Sequence, residues 1–388
     1  MPKHLTSERF RASAPPEMSG YAELARSFDD LIDFSIGDPD LRTDEGVIRA
    51  AFSDALAGYT HYTDPKGLPE LREAIARAYA EDYAIPVSPR EVFVATSASH
   101  AMFLALEAIL NDGDEVIVIA PYFPSYAQQI RLARGVPVEC DTAFEDGFQV
   151  TAAQLERCVG ERTRAIIVNT PCNPTGACLS RESLAQIADF ARRHDLIVIA
   201  DDIYTIYSYG EPFVPIASLE GMRERTVILN SFSKNFLMTG WRLGAVIAPE
   251  EVILAVAAIN EGVVYSAPSI SQRAALYALA HRAELCPPIT EEYRRRLGYA
   301  ADRINAIPHM RVLSPPGGTF YLFVDVRETG LSSAQVCREI LEQAHVLTIP
   351  GSSFGRCGEG FLRLACTMGI ETMGEAFDRI AAMPLFQN

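Results

Sequence analysis

The stretch Ser231-Phe232-Ser233-Lys234 decides which fold and chemistry we predict for this chain. It directly follows a β-branched, apolar run at residues 226–230, and such a run is typical of a buried strand. The chain has 34 basic residues, of which only Lys3, Lys66 and Lys234 are lysines. Lys234 lies among apolar and serine residues, where a solvated surface charge is not expected. Because lysine can be deprotonated and arginine cannot, this position suggests a chemical role.

Working outward from Lys234, short β-branched runs alternate with stretches of helical periodicity. This alternation predicts an α/β fold with a mostly parallel sheet flanked by helices. The predicted strands are residues 92–95, 115–120, 165–169, 196–201, 226–230 and 244–248. Helical patterns lie between them, for example at 100–110, 181–194 and 250–260.

Beyond about residue 285 the pattern changes to that of a smaller α+β domain. The predicted elements there are a helix at 289–307, strands at 320–326, 346–349 and 361–365, and helices at 333–344 and 371–383. We therefore expect residues 1–40 to contribute to the small domain, residues 41–285 to form the large domain, and residues 286–388 to form the small one.

Chemically distinctive residues follow most of the predicted parallel strands. They include hydroxyl residues at 96–99, an aromatic at Phe123, an amide at Asn173, a carboxylate at Asp201, and Lys234. Ligands of open parallel sheets gather at the carboxyl ends of the strands. This set suits a flat, phosphorylated, nitrogen-containing ring.

Composition limits the classes of partner. A formal net charge of −16 argues against nucleic acid and anionic membranes as partners. No apolar run is long enough to span a bilayer, and the first twenty residues lack the apolar core of a signal peptide. The eight cysteines are scattered, which favours reduced thiols in the cytoplasm, and the seven histidines form no metal-ligand pattern.

Three motifs together resemble the class I/II aminotransferases, a family of fold-type I enzymes that depend on pyridoxal 5′-phosphate (PLP). They are Asn-x-Pro-x-Asn-Pro-Thr-Gly at 169–176, Asp-x-x-Tyr at 201–204, and Ser-x-Ser-Lys at 231–234 with Arg-x-Gly at 242–244. The likeness extends from Gly37 to the region of Arg363. It implies a large PLP-binding domain and a smaller α+β domain.

The resemblance also implies roles for individual residues. Lys234 would carry PLP as a Schiff base and then act as a base, which requires a lowered pKa. Asp201 would keep the pyridine nitrogen protonated, Asn173 and Tyr204 would bind the 3′-oxygen, and Phe123 would stack on the ring. The role of Asp202 stays open, and Tyr126 is read as packing.

The phosphate would be held by backbone amides of Ala98 and Ser99, by Ser231 and Ser233, and by Arg242. Relatives often carry glycine where this chain has Ser97, so which of residues 97–100 donate stays open. Tyr62 would reach the phosphate of a neighbouring subunit, which implies a homodimer with shared active sites.

At the substrate end, Arg363 would bind the α-carboxylate through a two-pronged hydrogen bond, with Gly37 and Asn173 beside it. The expected reaction is transfer of an amino group from an L-amino acid to a 2-oxo acid by a ping-pong mechanism. The alternative is a PLP-dependent C–S β-lyase on the same scaffold. The sequence does not identify the amino acid.

Overall fold

The computed structural model describes Leu5, Ser7 and residues 24–387. The predicted N-terminal segment, residues 1–40, therefore lies partly outside the described residues. The strands are, in chain order, β1 (Ile32–Asp33), β2 (Val92–Ala95), β3 (Glu115–Ala120), β4 (Val136–Asp141), β5 (Thr163–Asn169), β6 (Ile197–Asp201), β7 (Thr226–Ser231), β8 (Gly244–Ile247), β9 (Tyr321–Asp325), β10 (Val346–Leu347), β11 (Ile349–Pro350) and β12 (Phe361–Ala365).

The α-helices alternate with these strands through the first two thirds of the chain. They are α1 (Glu45–Leu56), α2 (Pro69–Tyr83), α3 (Ala98–Ile109), α4 (Ser125–Leu132), α5 (Ala152–Glu156), α6 (Arg181–Arg193), α7 (Phe232–Asn235), α8 (Glu250–Glu261), α9 (Ser269–Ala280), α10 (Arg282–Asn305), α11 (Ser333–Ala344) and α12 (Ile370–Ala381).

Seven strands form the large sheet in the order β2-β8-β7-β6-β5-β3-β4. The pairs among β7, β6, β5, β3 and β4 are parallel, and only β8 runs antiparallel to both of its neighbours. Apolar clusters cover both faces, one including Ile166 and Val198 and the other Ile167 and Ile199. Neighbouring residues of a strand thus point into different clusters, as strand geometry requires. The expected mostly parallel sheet between helices is confirmed.

The smaller α+β part contains a three-stranded antiparallel sheet, β11-β12-β9, and a parallel pair, β1-β10. Its apolar core unites Phe34 from the N-terminal side with residues of α10, α11 and α12. The pair β1-β10 joins Ile32 to Val346. The exact bounds of the two domains stay a prediction.

Two of the predicted elements were wrong in detail. The helix expected at 289–307 begins at Arg282 and contains Pro287 and Pro288. These prolines lie in its second turn, beyond the four amides that are free at any helix start, so each removes one intrahelical N–H donor. The strand expected at 346–349 is two strands, which pair with different sheets. Among the described residues, no helix is long and apolar enough to cross a membrane.

Candidate active site

The strand register brings the predicted site residues to one edge of the large sheet. Asn169 lies opposite Asp201, and Ser231 lies opposite Gly244, the residue that also pairs with Ala95. Strands β5 and β6 therefore end together, and β7 ends two residues beyond them, since Asp201 lies opposite Leu229. The turns that follow them open into one space.

This space is a cavity of about 710 Å³, called the main cavity below. Twelve of the thirteen predicted site residues line it, and Tyr62 is the exception. The lining residues are Ser35, Ile36, Gly37, Ser97, Ala98, Ser99, Phe123, Pro124, Tyr126, Asn169, Asn173, Asp201, Ile203, Tyr204, Ser231, Ser233, Lys234, Thr239, Arg242, Tyr321, Ile349, Ser353, Phe354 and Arg363.

Lys234 contacts two residues that are distant from it in the chain, Gly37 and Phe320. Its Nζ donates to the carbonyl of Gly37 at 2.6 Å and lies 5.7 Å from the ring centre of Phe320. Burial lowers the pKa of Lys234 to about 8, and Arg242 and Arg363 act in the same direction against Asp38. About a tenth of this amine is therefore neutral at pH 7, far more than for a lysine in water, and the predicted chemistry needs this neutral form.

Asp201 is a buried carboxylate with one oxygen engaged. Tyr126 donates its hydroxyl to Oδ2, while Oδ1 has no hydrogen-bond partner among the described residues. Burial raises the pKa of Asp201 to about 6, and the Tyr126 bond opposes this rise. Tyr126 was expected to pack, and it does lie in an apolar cluster. The sequence did not indicate that its hydroxyl also donates to the site carboxylate.

The asparagines of the 169–176 motif fix the loop beside Asp201. Asn169 donates through Nδ2 to the Asp201 carbonyl at 2.9 Å and accepts from the Asn173 amide at 3.0 Å. Tyr204 is buried, with its hydroxyl 3.2 Å from that of Tyr321. Asn173 and Tyr204 both line the main cavity.

Backbone and hydroxyl donors cluster where α3 begins, at the donor-rich end of the main cavity. Ser97 caps α3 by accepting from the His100 amide at 3.1 Å, so the His100 N–H is used within the chain. The helix N-terminus leaves the amides of Ala98 and Ser99 as candidate donors. A Cβ at Gly244 would lie 2.7 Å from the Ala98 nitrogen, so only glycine permits this approach of β8 to α3.

Ser231, Ser233 and Arg242 complete this donor-rich end. Both serines are buried, and the Ser231 hydroxyl accepts from the Ser233 amide at 3.1 Å. Arg242 has a left-handed backbone, φ 52°, and its Nη1 donates to the Thr239 carbonyl at 2.9 Å. The rest of its guanidinium edge remains available to an anion.

Arg363 is a buried guanidinium without a carboxylate in ion-pair distance among the described residues. It donates to the Ser35 carbonyl and, at 3.3 Å, to Asn173 Oδ1, while Nε has no partner there. The rings of Tyr321 and Phe354 lie 4.8 and 5.1 Å from its Cζ. A buried charge of this kind is costly unless a counter-ion binds.

Gly37 lies next to Lys234 and Tyr321. A Cβ at this position would come within 1.9 Å of the Tyr321 hydroxyl, so the predicted need for glycine here has a steric cause. Phe123 reaches the cavity beside Tyr126, at 5.7 Å between ring centres.

Other residues of the cavity wall were not predicted. Ser35, Ile36, Tyr321, Ile349, Ser353 and Phe354 line it as well. They come from β1, β9, β11 and the turns beside them, which carry no local motif. Ser35 and Ile36 adjoin the quoted Gly37, and that adjacency was the one available signal.

Asp202 and Tyr62 lie outside the main cavity. Asp202 is buried, its pKa is raised by burial and by Asp201, and its Oδ2 has no partner among the described residues. Tyr62 is 86% exposed and touches Tyr265 edge-on, with 5.4 Å between ring centres.

Comparison with known proteins identifies this arrangement. The family model for aminotransferase class I and II matches residues 29–380. The chain belongs to this family. It is 38% identical to the aspartate aminotransferase of Pyrococcus abyssi, over 96% of this chain and 97% of that protein. It is 36% identical to aromatic-amino-acid aminotransferase 2 of Thermococcus litoralis, with the same coverage of both chains.

A solved structure, the aromatic aminotransferase from Pyrococcus horikoshii OT3, superimposes with a TM-score of 0.89 at 38% identity. The match covers 93% of this chain and 97% of that one. The protein is therefore a PLP-dependent aminotransferase that acts on amino acids and 2-oxo acids, as predicted. The relatives favour amino transfer over the C–S β-lyase alternative.

The main cavity of this aminotransferase fits PLP at two places. Asp201 Oδ1, buried and without a partner, suits a protonated ring nitrogen, and the donor-rich end at α3 suits a phosphate. When bound, PLP supplies the electron sink that makes the substrate Cα–H acidic.

Proposed function

We propose that Lys234 attaches PLP covalently and, once the amino acid has displaced it, moves the proton at the substrate Cα. The observation that carries this proposal is the half-buried Nζ, whose pKa burial lowers to about 8. A neutral amine is both the nucleophile and the base that these steps need. A lysine in water would be almost wholly protonated at pH 7.

The other predicted residues hold the reactants in place. Asp201 binds the pyridine nitrogen, with Tyr126 keeping Oδ2 occupied so that Oδ1 is left for the ring. Asn173 and Tyr204 bind the 3′-oxygen, and Phe123 covers the ring face. The phosphate binds to Ala98, Ser99, Ser231, Ser233 and Arg242, and Arg363 binds the α-carboxylate beside Gly37 and Asn173.

The amino donor is proposed to be an amino acid with an uncharged, mainly apolar or aromatic side chain. Among the described residues the main cavity contains two guanidinium groups, Arg242 and Arg363, and both are assigned to other anions. The other residues that line the main cavity include the apolar Ile36, Ile349 and Phe354. A second carboxylate would have no cation there and would lose solvation.

Single-turnover absorbance changes of the PLP-loaded enzyme test this assignment. We expect phenylalanine, tyrosine and leucine to convert the cofactor at a higher kcat/KM than aspartate and glutamate, by about tenfold or more. A preference for aspartate of the same size would contradict the proposed substrate class while leaving the aminotransferase activity intact.

A homodimer with shared sites is proposed from the surface around Tyr62. Large apolar side chains are exposed there and on α1: Leu56 is 92% exposed, Phe52 55% and Val263 53%. Exposed apolar patches of this kind mark interfaces. Tyr62 would then reach the phosphate of the adjacent subunit.

Mixed dimers of Lys234→Ala and Tyr62→Ala subunits test this sharing. If Tyr62 serves the neighbouring site, one site of the mixed dimer has both native residues, and activity returns on mixing. If Tyr62 serves its own subunit, no mixed site is intact and no activity returns.

The domain bounds and the cellular location are proposed as well. We propose a large domain of residues 41–285 and a small domain of residues 286–388, to which residues 1–40 contribute. We also propose a cytoplasmic location, which suits the eight unpaired cysteines of the structure.

A further inference from the structure

A second cavity, of about 440 Å³, lies between α2 and the first turns of α10 and is called the α2–α10 cavity. Its walls are Ile75, Ala78, Tyr79, Glu81, Asp82, Tyr83, Thr205, Ile206, Asn230, Asn235, Phe236, Leu279, Ala280, Arg282, Ala283, Cys286 and Pro287. None of these residues lines the main cavity. The volume is within the range of small-molecule sites.

The α2–α10 cavity adjoins the active site through the backbone. Thr205 follows Tyr204, Asn230 precedes Ser231, and Asn235 follows Lys234. In each of these three segments, a residue that lines one cavity is therefore bonded directly to a residue that lines the other. A molecule that shifts these segments from one side moves groups that face PLP on the other.

Asn235 is a wall residue of this cavity, and its side chain carries an unused acceptor. The residue is 6% exposed, and its Nδ2 donates to Thr205 Oγ1 at 2.8 Å. Its Oδ1 has no hydrogen-bond partner among the described residues. A buried amide oxygen is normally satisfied, so a ligand with a donor group fits it.

The charge at the rim favours a neutral or cationic ligand. Arg282 pairs through Nε with Asp82 at 2.8 Å and through Nη2 with Glu81 at 2.6 Å. Two carboxylates and one guanidinium leave one formal negative charge. Part of the wall, called the inner wall, is apolar and includes Ile75, Phe236 and Leu279.

We propose that the α2–α10 cavity is a regulatory binding site for a small neutral or cationic molecule that has an apolar body and one hydrogen-bond donor. The donor binds Asn235 Oδ1, the apolar body contacts the inner wall, and occupation alters the rate of amino transfer. This inference does not depend on which residues perform the chemistry.

N,N-dimethylbenzylamine is a suitable probe, because it is protonated at neutral pH, keeps one N–H and cannot condense with an aldehyde. Benzyltrimethylammonium is the matched comparison, since it has the same charge and ring but no donor. Titration calorimetry of the PLP-loaded enzyme should show binding of the first at millimolar concentration and about tenfold weaker binding of the second. Equal affinities, or no binding of either, would overturn the proposal.

Two variants, each with a leucine at an exposed helix position, test whether the probe binds in the α2–α10 cavity. Ala283→Leu fills the α2–α10 cavity, whereas Ala80→Leu on α2 lies outside its walls. We expect Ala283→Leu to weaken probe binding by about tenfold or more and Ala80→Leu to leave it unchanged. The same loss in both variants, or in neither, would contradict the assignment.

The regulatory effect is measured as a change in the single-turnover rate of the PLP-loaded enzyme at a saturating amino acid concentration. The probe should change this rate by about fivefold or more in the wild type and in Ala80→Leu, and much less in Ala283→Leu. Each variant is compared with its own rate without probe. A rate that the bound probe leaves unchanged would overturn the regulatory function.

Discussion

The two ends of the main cavity are built in different ways. The cofactor end comes from strand ends of the large sheet and the N-terminus of α3, where Ser231, Asp201 and Asn169 are placed by adjacent strands. The substrate end combines Ser35 and Gly37 with Phe354 and Arg363, which are far apart in the chain. The cofactor end is thus fixed by the sheet itself, whereas the substrate end exists only when distant segments pack together.

From this difference we expect substitutions at the cofactor end to lower the reaction rate and substitutions at the substrate end to weaken the affinity for the amino acid. The largest effect is expected for Lys234→Ala, which should lower turnover by at least about 10⁴-fold because both the attachment point and the base are lost. Steady-state assays and retained PLP absorbance would measure this. Lys66→Ala, at a lysine outside the main cavity, should behave as wild type; a similar loss there would indicate a general effect on folding.

Asp201→Asn should lower the rate of Cα proton removal by about 10²–10⁴-fold, because a neutral amide cannot stabilise a protonated ring nitrogen. The solvent exchange rate of the Cα hydrogen measures this step. Asp202→Asn is the matched control, since Asp202 is an adjacent buried carboxylate outside the main cavity. Equal losses in the two variants would mean that burial, and not the ring contact, explains the effect.

Arg363→Lys should raise KM for the amino acid by about 10–100-fold and lower kcat much less, because one point charge replaces the two-pronged donor. Steady-state kinetics with amino acids and with the matching amines lacking a carboxylate would separate the two effects. If the amines lost as much as the amino acids, Arg363 would not be the carboxylate-binding group.

The smallest effect concerns pH. The rate at which the apoenzyme takes up PLP covalently should rise about tenfold from pH 6 to pH 7 and level off above about pH 8, because only the neutral form of Lys234 attacks and its pKa is about 8. Stopped-flow absorbance would follow the reaction. A rate still rising tenfold per unit at pH 10 would show that the pKa is not lowered.

The same contrast explains what could be predicted from the sequence. Lys234, Arg242 and Gly244 lie within one short stretch, and the carboxyl ends of parallel strands meet, so the cofactor end could be expected from local patterns. Tyr126 could not be assigned, because its contact with Asp201 spans 75 residues and its helix shows only an amphipathic pattern.

At the substrate end, long-range packing limited the prediction. Arg363 stood out as a charge in an apolar strand, but Ile349 was read as the end of one strand at 346–349. The structure turns the chain there into β11, which pairs with β12 and brings Ile349 opposite Arg363. No local pattern encodes that pairing, so this part of the wall was missed.

Borohydride reduction of the PLP-loaded protein, followed by peptide mass spectrometry, tests the central claim most directly. The neutral amine of Lys234 predicts that a pyridoxyl group is fixed on the peptide that contains residue 234. A pyridoxyl group on Lys66 or Lys3 instead, or no covalent label at all, would contradict the account.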